Sequence, residues 1–217
     1  MKLNRTFIYC LFILLIPFFS MKANAQFRKK EKVVLVFDSG LESSTIKVTT
    51  FKFYVGKFQF FKEDKLVHQD EEYHLIQPGR GNSMAQIQIK KGLQYDSIAM
   101  QIGVDSTTNV AGILDGDLDP SKGMYWSWQS GYINVKIEAT LENNDKLIYH
   151  LGGYLPPHLN QREIGFKSSS KYPKIAVYLG DYLRHIMSAY PQKVMSPGED
   201  AIGLIEGLLP FFQLIEE

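Results

Sequence analysis

The strongest constraint on the fold is a run of alternating apolar and polar residues, 133–141. Its apolar positions all have the same parity: Ile133, Val135, Ile137, Ala139 and Leu141. Successive side chains of a β-strand point to opposite faces, so this spacing predicts an antiparallel strand with one buried and one wet face. One such strand needs partners to form a stable sheet, and similar patterns recur along the chain.

The other apolar patterns are shorter and lie between turns rich in Gly, Pro and Asn. The strands predicted from them are Val33–Asp38, Thr45–Phe61, Tyr73–Ile76, Met84–Ile89, Ile98–Val104, Lys146–Leu151, Arg162–Phe166 and Lys174–Leu179. Polar residues 62–69 are expected to form a hairpin connection. The fold class predicted from this pattern is all-β, an antiparallel β-sandwich or flattened barrel.

Helical signals are confined to the C-terminal part of the chain. Asp181–Ala189 is a candidate short helix. Ser196 to Glu199 reads as a capping box, with Ser196 as the N-cap, Pro197 at the first helical position and Glu199 at the third. Apolar residues follow at helical spacing as far as Pro210, so a short C-terminal helix is predicted.

The stretch Thr45–Phe61 changes phase in its middle. Phe51, Phe53 and Val55 are odd-numbered, whereas Phe58 and Phe60 are even-numbered, and a glycine at 56 separates the two groups. A β-bulge would return all five side chains to the same face of one long strand. Two separate strands with a turn at Gly56-Lys57 would explain the pattern equally well.

The stretch Ile98–Tyr132 holds both tryptophans, several acids and five glycines. Most of it lies between two predicted strands, and loops of that length are usually functional or disordered. Its aromatic content argues against disorder. We therefore expect the loop to fold back over the sheet end, with Trp126 and Trp128 packed beneath it and its acids pinning the outer turn.

Residues 1–25 are predicted to be a secretory signal peptide. Lys2 and Arg5 precede a short apolar core, 7–19, and Ala23-Asn24-Ala25 is an A-x-A cleavage site. The apolar core is too short, and wrongly flanked, for a membrane anchor, so the protein is not expected to span a membrane. Residues 26–32 would then form a basic N-terminal tail and 33–217 one domain, periplasmic or secreted.

Removal of this segment would also remove Cys10, the one cysteine. Disulfides, thiolate metal sites and a cysteine nucleophile are thereby excluded. Basic and acidic residues nearly balance, 24 against 23, which gives no reason to expect a nucleic-acid partner. No G-x-S-x-G elbow or paired-carboxylate motif stands out, so no enzymatic activity is predicted and a hydrolase is the weakest candidate.

The acids of the long loop are one candidate metal site. Asp115, Asp117 and Asp119 have the D-x-D-x-D spacing of a calcium loop, and Asp105 ends the preceding strand. The EF-hand pattern then fails, because Pro120 stands in place of its glycine and Trp126 in place of its glutamate. Ordinary turn chemistry explains the same residues without an ion.

Histidine and tryptophan supply the second set of candidates. His74 and His150 both lie in predicted strands, where two imidazoles can converge on copper or zinc across a sheet. Taken singly, a histidine in a strand is more often an ordinary hydrogen-bonded residue than a ligand. Trp126 and Trp128 share a face if their segment is extended, either as core packing, as a ligand platform or as a redox-active position.

Four motifs together resemble the MbnP-like copper-binding domain family. They are IGVDS at 102–106, GDLDP at 116–120, GMYWSWQSGY at 123–132 and HLGG at 150–153. The W-x-W-x-x-G-Y run after L-D-P is the most specific of them, and the likeness extends from about Val33 to the C-terminus. His150 in HLGG and His74 in YHLI match recurrent positions of the family.

The resemblance implies a secreted or periplasmic β-sandwich that binds copper without catalysing a reaction. In some relatives histidines and a kynurenine made from tryptophan hold Cu(I), and a di-haem peroxidase-like cytochrome oxidises the tryptophan. Some relatives place that tryptophan close in sequence to a histidine, which neither Trp126 nor Trp128 has here. The alternative is an extracytoplasmic binding or structural module with a calcium-stabilised acidic loop and no copper site.

Overall fold

The computed structural model describes residues 29–39, 46–79, 82–128 and 131–215. The predicted signal peptide, 1–25, and residues 26–28 of the predicted tail lie outside these ranges. Residues 30–32 of that tail already belong to the first strand, because their backbone pairs with a neighbouring strand from Lys30 onwards.

Strands make up 48% of the described chain. They are β1 (Lys30–Asp38), β2 (Lys47–Lys62), β3 (Lys65–Ile76), β4 (Met84–Lys90), β5 (Ser97–Ile102), β6 (Tyr125–Trp126), β7 (Gly131–Thr140), β8 (Lys146–Gly152), β9 (Arg162–Lys167), β10 (Lys174–Val177), β11 (Lys193–Val194) and β12 (Phe212–Ile215). The helices are α1 (Ser106–Val110), α2 (Leu179–Ile186) and α3 (Glu199–Leu208), with 3-10 turns at Gly116–Leu118, Pro120–Lys122 and Leu209–Phe211.

The strands form two sheets, which confirms the predicted all-β class. The smaller sheet has the order β12-β10-β1-β4, and the larger has the order β11-β8-β7-β2-β5-β9, with β3 also paired to β2 and β6 to β7. The sheets together form a curled half-barrel. Two pairs, β1 with β10 and β8 with β11, are parallel, so the sheets are mixed and not purely antiparallel.

The main core lies between the two sheets. Phe37 of the smaller sheet meets Phe53 of the larger one edge-to-face, with ring centroids 5.6 Å apart. The phase change in β2 is a bulge within one strand: the register against β3 shifts between Gly56 and Phe58, and Lys57 has a φ of +51°. Phe58 and Phe60 therefore return to the core, and the two-strand alternative is wrong.

A second, smaller apolar cluster lies on the opposite, outer face of the larger sheet. Tyr54 and Leu75 point there from β2 and β3, between neighbours that face the main core. The long loop covers them with its own apolar residues, among them Met124 and Trp126. The loop is therefore packed onto the sheet, as its aromatic content predicts.

Several local predictions need correction. The polar segment 62–69 is not a connection, because β3 begins at Lys65 and only Glu63 and Asp64 form the turn. The capping box is also wrong, since α3 begins at Glu199 behind Gly198, without a side-chain cap. Beyond α3 the chain adds β12, which pairs with β10 and had no strong sequence signal. Within the described residues, no helix is both long and apolar enough to cross a membrane.

Candidate functional site

The start of the long loop is organised by α1. Asp105 caps this helix, because its carboxylate accepts a hydrogen bond from the backbone N–H of Thr108 at 2.6 Å. Burial is the largest influence on the pKa of Asp105 and would raise it. Hydrogen bonds from Thr108 and Lys57 outweigh burial and hold the pKa below its ordinary value. Asn109 then ties the helix to β7 by accepting from the backbone N–H of Tyr132 at 2.9 Å.

The other loop acids also bind groups of the protein itself. Asp117 accepts from the backbone N–H of Leu75 at 3.0 Å and lies 2.6 Å from the ammonium of Lys122. Asp119 accepts from the backbone N–H of Ser121 at 2.7 Å. Asp115 precedes a 3-10 turn but makes no side-chain cap bond to it.

Three of the four acids, Asp105, Asp117 and Asp119, therefore bind groups of the protein itself. In the part of the chain that the structure describes, no three His, Cys, Asp or Glu residues group as metal ligands. The prediction that the acids pin the outer turn of the loop is the one that the geometry matches. Asp117 carries most of that role, since it joins the loop both to β3 and to Lys122.

The two tryptophans have different environments. Trp126 lies in β6 opposite Gly131 of β7 and is 5% exposed, whereas Trp128 is 65% exposed. Their ring centroids are 5.8 Å apart. The indole N–H of Trp126 is buried and has no hydrogen-bond partner among the described residues. The expectation that both tryptophans pack beneath the loop is therefore right for Trp126 and wrong for Trp128.

The two glycines of the HLGG segment leave the space in which Trp126 packs. A Cβ atom on Gly152 would lie 2.6 Å from the backbone oxygen of Tyr132 and 2.9 Å from the six-membered ring of Trp126. Gly153 has a φ of +139°, and a Cβ atom there would lie 2.2 Å from the backbone oxygen of His158. The glycine pair thus lets an indole and the following loop approach the end of β8.

A pocket of about 190 Å³ opens at this place. It is lined by Trp126, Gly131, Gly153, Tyr154, Leu155, Pro156, His158 and Pro197. The Nε2 atom of His158 lies 3.7 Å from a carboxylate oxygen of Glu199, at the start of α3. His158 was not predicted as a site residue, because 32 residues of chain separate it from Trp126 and no local motif connects them.

His150 lies on the same face of β8 as Gly152, two residues earlier in the strand. Its Nε2 atom is 2.8 Å from Glu138 of β7, whose other carboxylate oxygen accepts from Thr50 at 2.9 Å. Burial lowers the pKa of His150, and the hydrogen bond with Glu138 offsets only part of that shift. The lowered pKa favours the neutral imidazole, which a carboxylate holds from one side.

His74 lies elsewhere. It pairs in register with Val55 and faces the main core, where its ring is 5.8 Å from that of Phe58. Two strands, β2 and β7, separate β3 from β8, and His150 faces the opposite side of the sheet. His74 and His150 therefore do not converge across the sheet. Burial lowers the pKa of His74, and its Nε2 atom has no hydrogen-bond partner among the described residues.

The geometry thus brings Trp126 and His158 to one pocket, while His150, held by Glu138, is not part of its lining and His74 faces the main core. Imidazole nitrogen is a usual ligand for copper.

Comparison with known proteins agrees with the sequence motifs. A family model described as MbnP matches residues 19–183. Among solved structures, MbnP from Methylosinus trichosporium is similar, with a TM-score of 0.48 and 15% sequence identity, over 69% of this chain and 78% of that chain. No curated protein matches the sequence.

Proposed function

Because the chain belongs to the MbnP family, we propose that it is an exported, non-catalytic protein that binds and hands on copper at the pocket beside Trp126. The observation that carries this proposal is that Trp126 and His158 line one pocket although they are far apart in sequence. Export rests on the predicted signal peptide. Copper rests on the family resemblance together with the imidazole of His158 in that pocket.

His158 and His150 are the proposed copper ligands of this chain. In the tautomer that carries hydrogen on Nε2, His150 donates to Glu138 and its Nδ1 lone pair is free to bind a metal. Histidine ligands commonly donate their second ring N–H to a carboxylate, which fixes the orientation of the ring. When bound, copper would supply one-electron redox chemistry, and these residues would hold it in place.

The pocket leaves coordination positions for water or for a donor from another molecule. Such a site releases its metal more readily than a closed cage, which suits a protein that passes copper on. Trp128 is the proposed contact point for a partner, since it is exposed and its ring adjoins that of the buried Trp126. The family resemblance makes a di-haem peroxidase-like cytochrome the proposed partner.

The proposal is tested by metal retention. The mature protein is loaded with Cu(I) under reducing, anaerobic conditions and dialysed, and the copper that remains is measured. We expect wild type to retain copper and His158→Gln and His150→Gln to lose most of it. His185→Gln is the matched control, because His185 is an exposed histidine on α2.

Two outcomes would count against the proposal. If wild-type protein retains no copper, the proposed copper binding is wrong. Equal retention in all three variants would place the metal at other residues, and His74→Gln is included because His74 was a candidate ligand. Melting of the metal-free variants is measured in parallel, so that loss of fold is not mistaken for loss of a ligand.

A further inference from the structure

The larger sheet ends at β9, and this edge is regular. β9 pairs with β5 along its whole length without a shift of register, and it contains no proline. A regular strand at a sheet edge presents a row of backbone N–H and C=O groups to which another strand can bind. Proteins usually blunt such edges with bulges, prolines or covering groups. The edge at β9 is therefore suited to pair with a further strand.

The edge of the same sheet at β3, by contrast, is blunted. Its register against β2 shifts at two places. The backbone N–H of Leu75 is bound by the carboxylate of Asp117. Just after β3, the backbone N–H of Gln77 is bound by the backbone oxygen of Asn82. β3 thus has both bulges and covering groups, and within the described residues β9 has neither.

The hydrogen bonds between β9 and β5 determine which residues of β9 face the open edge. The N–H of Ser168, the residue after β9, donates to the backbone oxygen of Asp96, the residue before β5, at 2.9 Å. Bonded and non-bonded pairs alternate along antiparallel strands, so every second residue of β9 directs its backbone groups towards β5. The residues that direct their N–H and C=O groups away from β5 are Glu163, Gly165 and Lys167. Within the described residues, these outward groups have no other backbone partner.

The same three residues are also exposed on the outer face of the sheet. Between them, Ile164 and Phe166 are half-buried and pack against the main core. Glu163 and Lys167 carry opposite charges, and neither has an ion-pair partner among the described residues. A Cβ atom on Gly165 would lie 3.7 Å from the nearest atom outside its chain neighbours, so the surface between the two charges is open.

The sequence of β9 is complementary to itself in antiparallel pairing. With Gly165 at the centre, a second copy places its Lys167 opposite Glu163 and its Glu163 opposite Lys167. It also places Ile164 opposite Phe166 twice, and pairs of β-branched and aromatic side chains stabilise antiparallel sheets. The three residues that face the open edge then bond to one another between the two copies. Moving the centre to Ile164 or Phe166 pairs neither charge with an opposite one, so one register is favoured.

We propose that β9 pairs with β9 of a second copy of this chain, antiparallel and centred on Gly165, and joins the two larger sheets edge to edge. A nucleic acid has no strand to add to this edge and is repelled by Glu163. A different protein would have to supply the same order of charges in reverse, which a second copy does by its own sequence. A contact of one short strand per copy is small, so the dimer is weak and its fraction rises with protein concentration.

The test is the association of the mature, metal-free protein, measured by sedimentation equilibrium over a wide range of concentrations. We expect wild type to dimerise reversibly. Glu163→Lys alone and Lys167→Glu alone each replace two attractive pairs by two repulsive ones, and each should raise the dissociation constant about tenfold or more. Combining the two substitutions restores opposite charges in the same register and should return the dissociation constant close to the wild-type value.

The matched controls are Glu72→Lys and Lys65→Glu, which make the same changes at exposed positions of β3 and should associate like wild type. Cross-linking tests the register, because the chain has no cysteine after residue 10. Gly165→Cys should form a disulfide between copies, since the Cα atoms of hydrogen-bonded partners lie about 5.5 Å apart, within the span of a disulfide. Gln69→Cys, on exposed β3, should not.

Three results would overturn the proposal. Wild type that stays monomeric at every concentration would leave this edge to a strand of another protein. A combined variant as weak as the single ones, or a Gly165→Cys protein that dimerises without the disulfide, would place the contact elsewhere. Circular dichroism of each variant separates loss of association from loss of fold. Among the described residues that line the pocket beside Trp126 none belongs to β9, and metal-free protein is used, so no result depends on the copper proposal.

Discussion

The carboxylate of Asp117 accepts a hydrogen bond from the backbone N–H of Leu75 at 3.0 Å, so the long loop is fastened to the edge of β3. The same residue holds Lys122 within the loop, at 2.6 Å. A backbone N–H at an open strand edge needs an acceptor when water is kept away from it. The carboxylate fills that need where no further strand is present.

Asp117→Ala should therefore destabilise the protein by about 1–3 kcal/mol, the usual cost of losing a hydrogen bond to a charged group. For a domain of this size that corresponds to a fall of roughly 2–10 °C in melting temperature. Asp115→Ala is the control, because Asp115 makes no side-chain cap bond. Calcium that raises the melting temperature of wild type but not of Asp117→Ala would support the calcium-loop alternative.

Mutations of the two tryptophans should change the stability of the protein by different amounts. Trp126→Ala removes a side chain that is almost fully buried and should cost about 3–5 kcal/mol. Trp128→Ala removes an exposed one, and its effect should stay within about 0.5 kcal/mol. Chemical denaturation of the two metal-free variants measures both values. Equal destabilisation would show that Trp128 has a packed role.

Gly152→Ala should displace Trp126, since the new Cβ atom meets both the indole and the backbone oxygen of Tyr132. We expect a lower melting temperature and a shift in tryptophan fluorescence. Gly165→Ala in β9 makes the same change where the nearest atoms are 3.7 and 3.9 Å away, an ordinary contact distance. If the two variants have the same melting temperature and fluorescence, the absence of a side chain at Gly152 does not determine the position of Trp126.

The stability of the protein should fall as the pH falls from about 7 to about 5. Burial lowers the pKa of both His74 and His150 from their ordinary value of 6.5. Below that value the unfolded chain takes up protons that the folded protein resists, so folding is penalised as the pH decreases. Burial would raise the pKa of Glu138, but hydrogen bonds from His150 and Thr50 outweigh burial and lower it. Glu138 therefore affects the stability of the protein only below about pH 4.5.

His74→Leu should flatten this dependence, because it replaces a buried imidazole that has an unpartnered nitrogen. His185→Gln, which removes an exposed histidine on α2, is the matched control. Melting temperatures measured across the pH range give the slopes directly. An unchanged slope in His74→Leu would assign the effect to His150 or to other groups.

The sequence predicted best what depends on local periodicity. Alternation in 133–141 predicts β7, and the parity change around Gly56 predicts a bulge that the register of β2 and β3 contains. Both signals arise because the period of a strand is two, so a shift of one residue exchanges the buried and exposed faces. The polar half of β3 lacks that signal, since residues 65–72 have no buried face.

The candidate site depended on contacts that no local pattern encodes. His158 reaches the pocket of Trp126 through the loop after Gly153, and its Pro-rich surroundings indicate only a loop. His74 and His150 were equivalent candidate ligands in the sequence because both lie in predicted strands. The strand order and the alternation of side chains place them on opposite faces of the sheet. Only the pairing of strands decides such questions, and pairing is a property of the whole chain.

The smaller sheet brings together strands from opposite ends of the chain. β1 pairs with β10, and β10 in turn pairs with β12, which ends at Ile215. Contacts of such long sequence separation form slowly, because the chain entropy of a large loop must be lost before they stabilise anything. The central strands of this sheet therefore cannot all be paired until the chain has been made as far as β12, so the smaller sheet stays incomplete while the strands of the larger one can already pair.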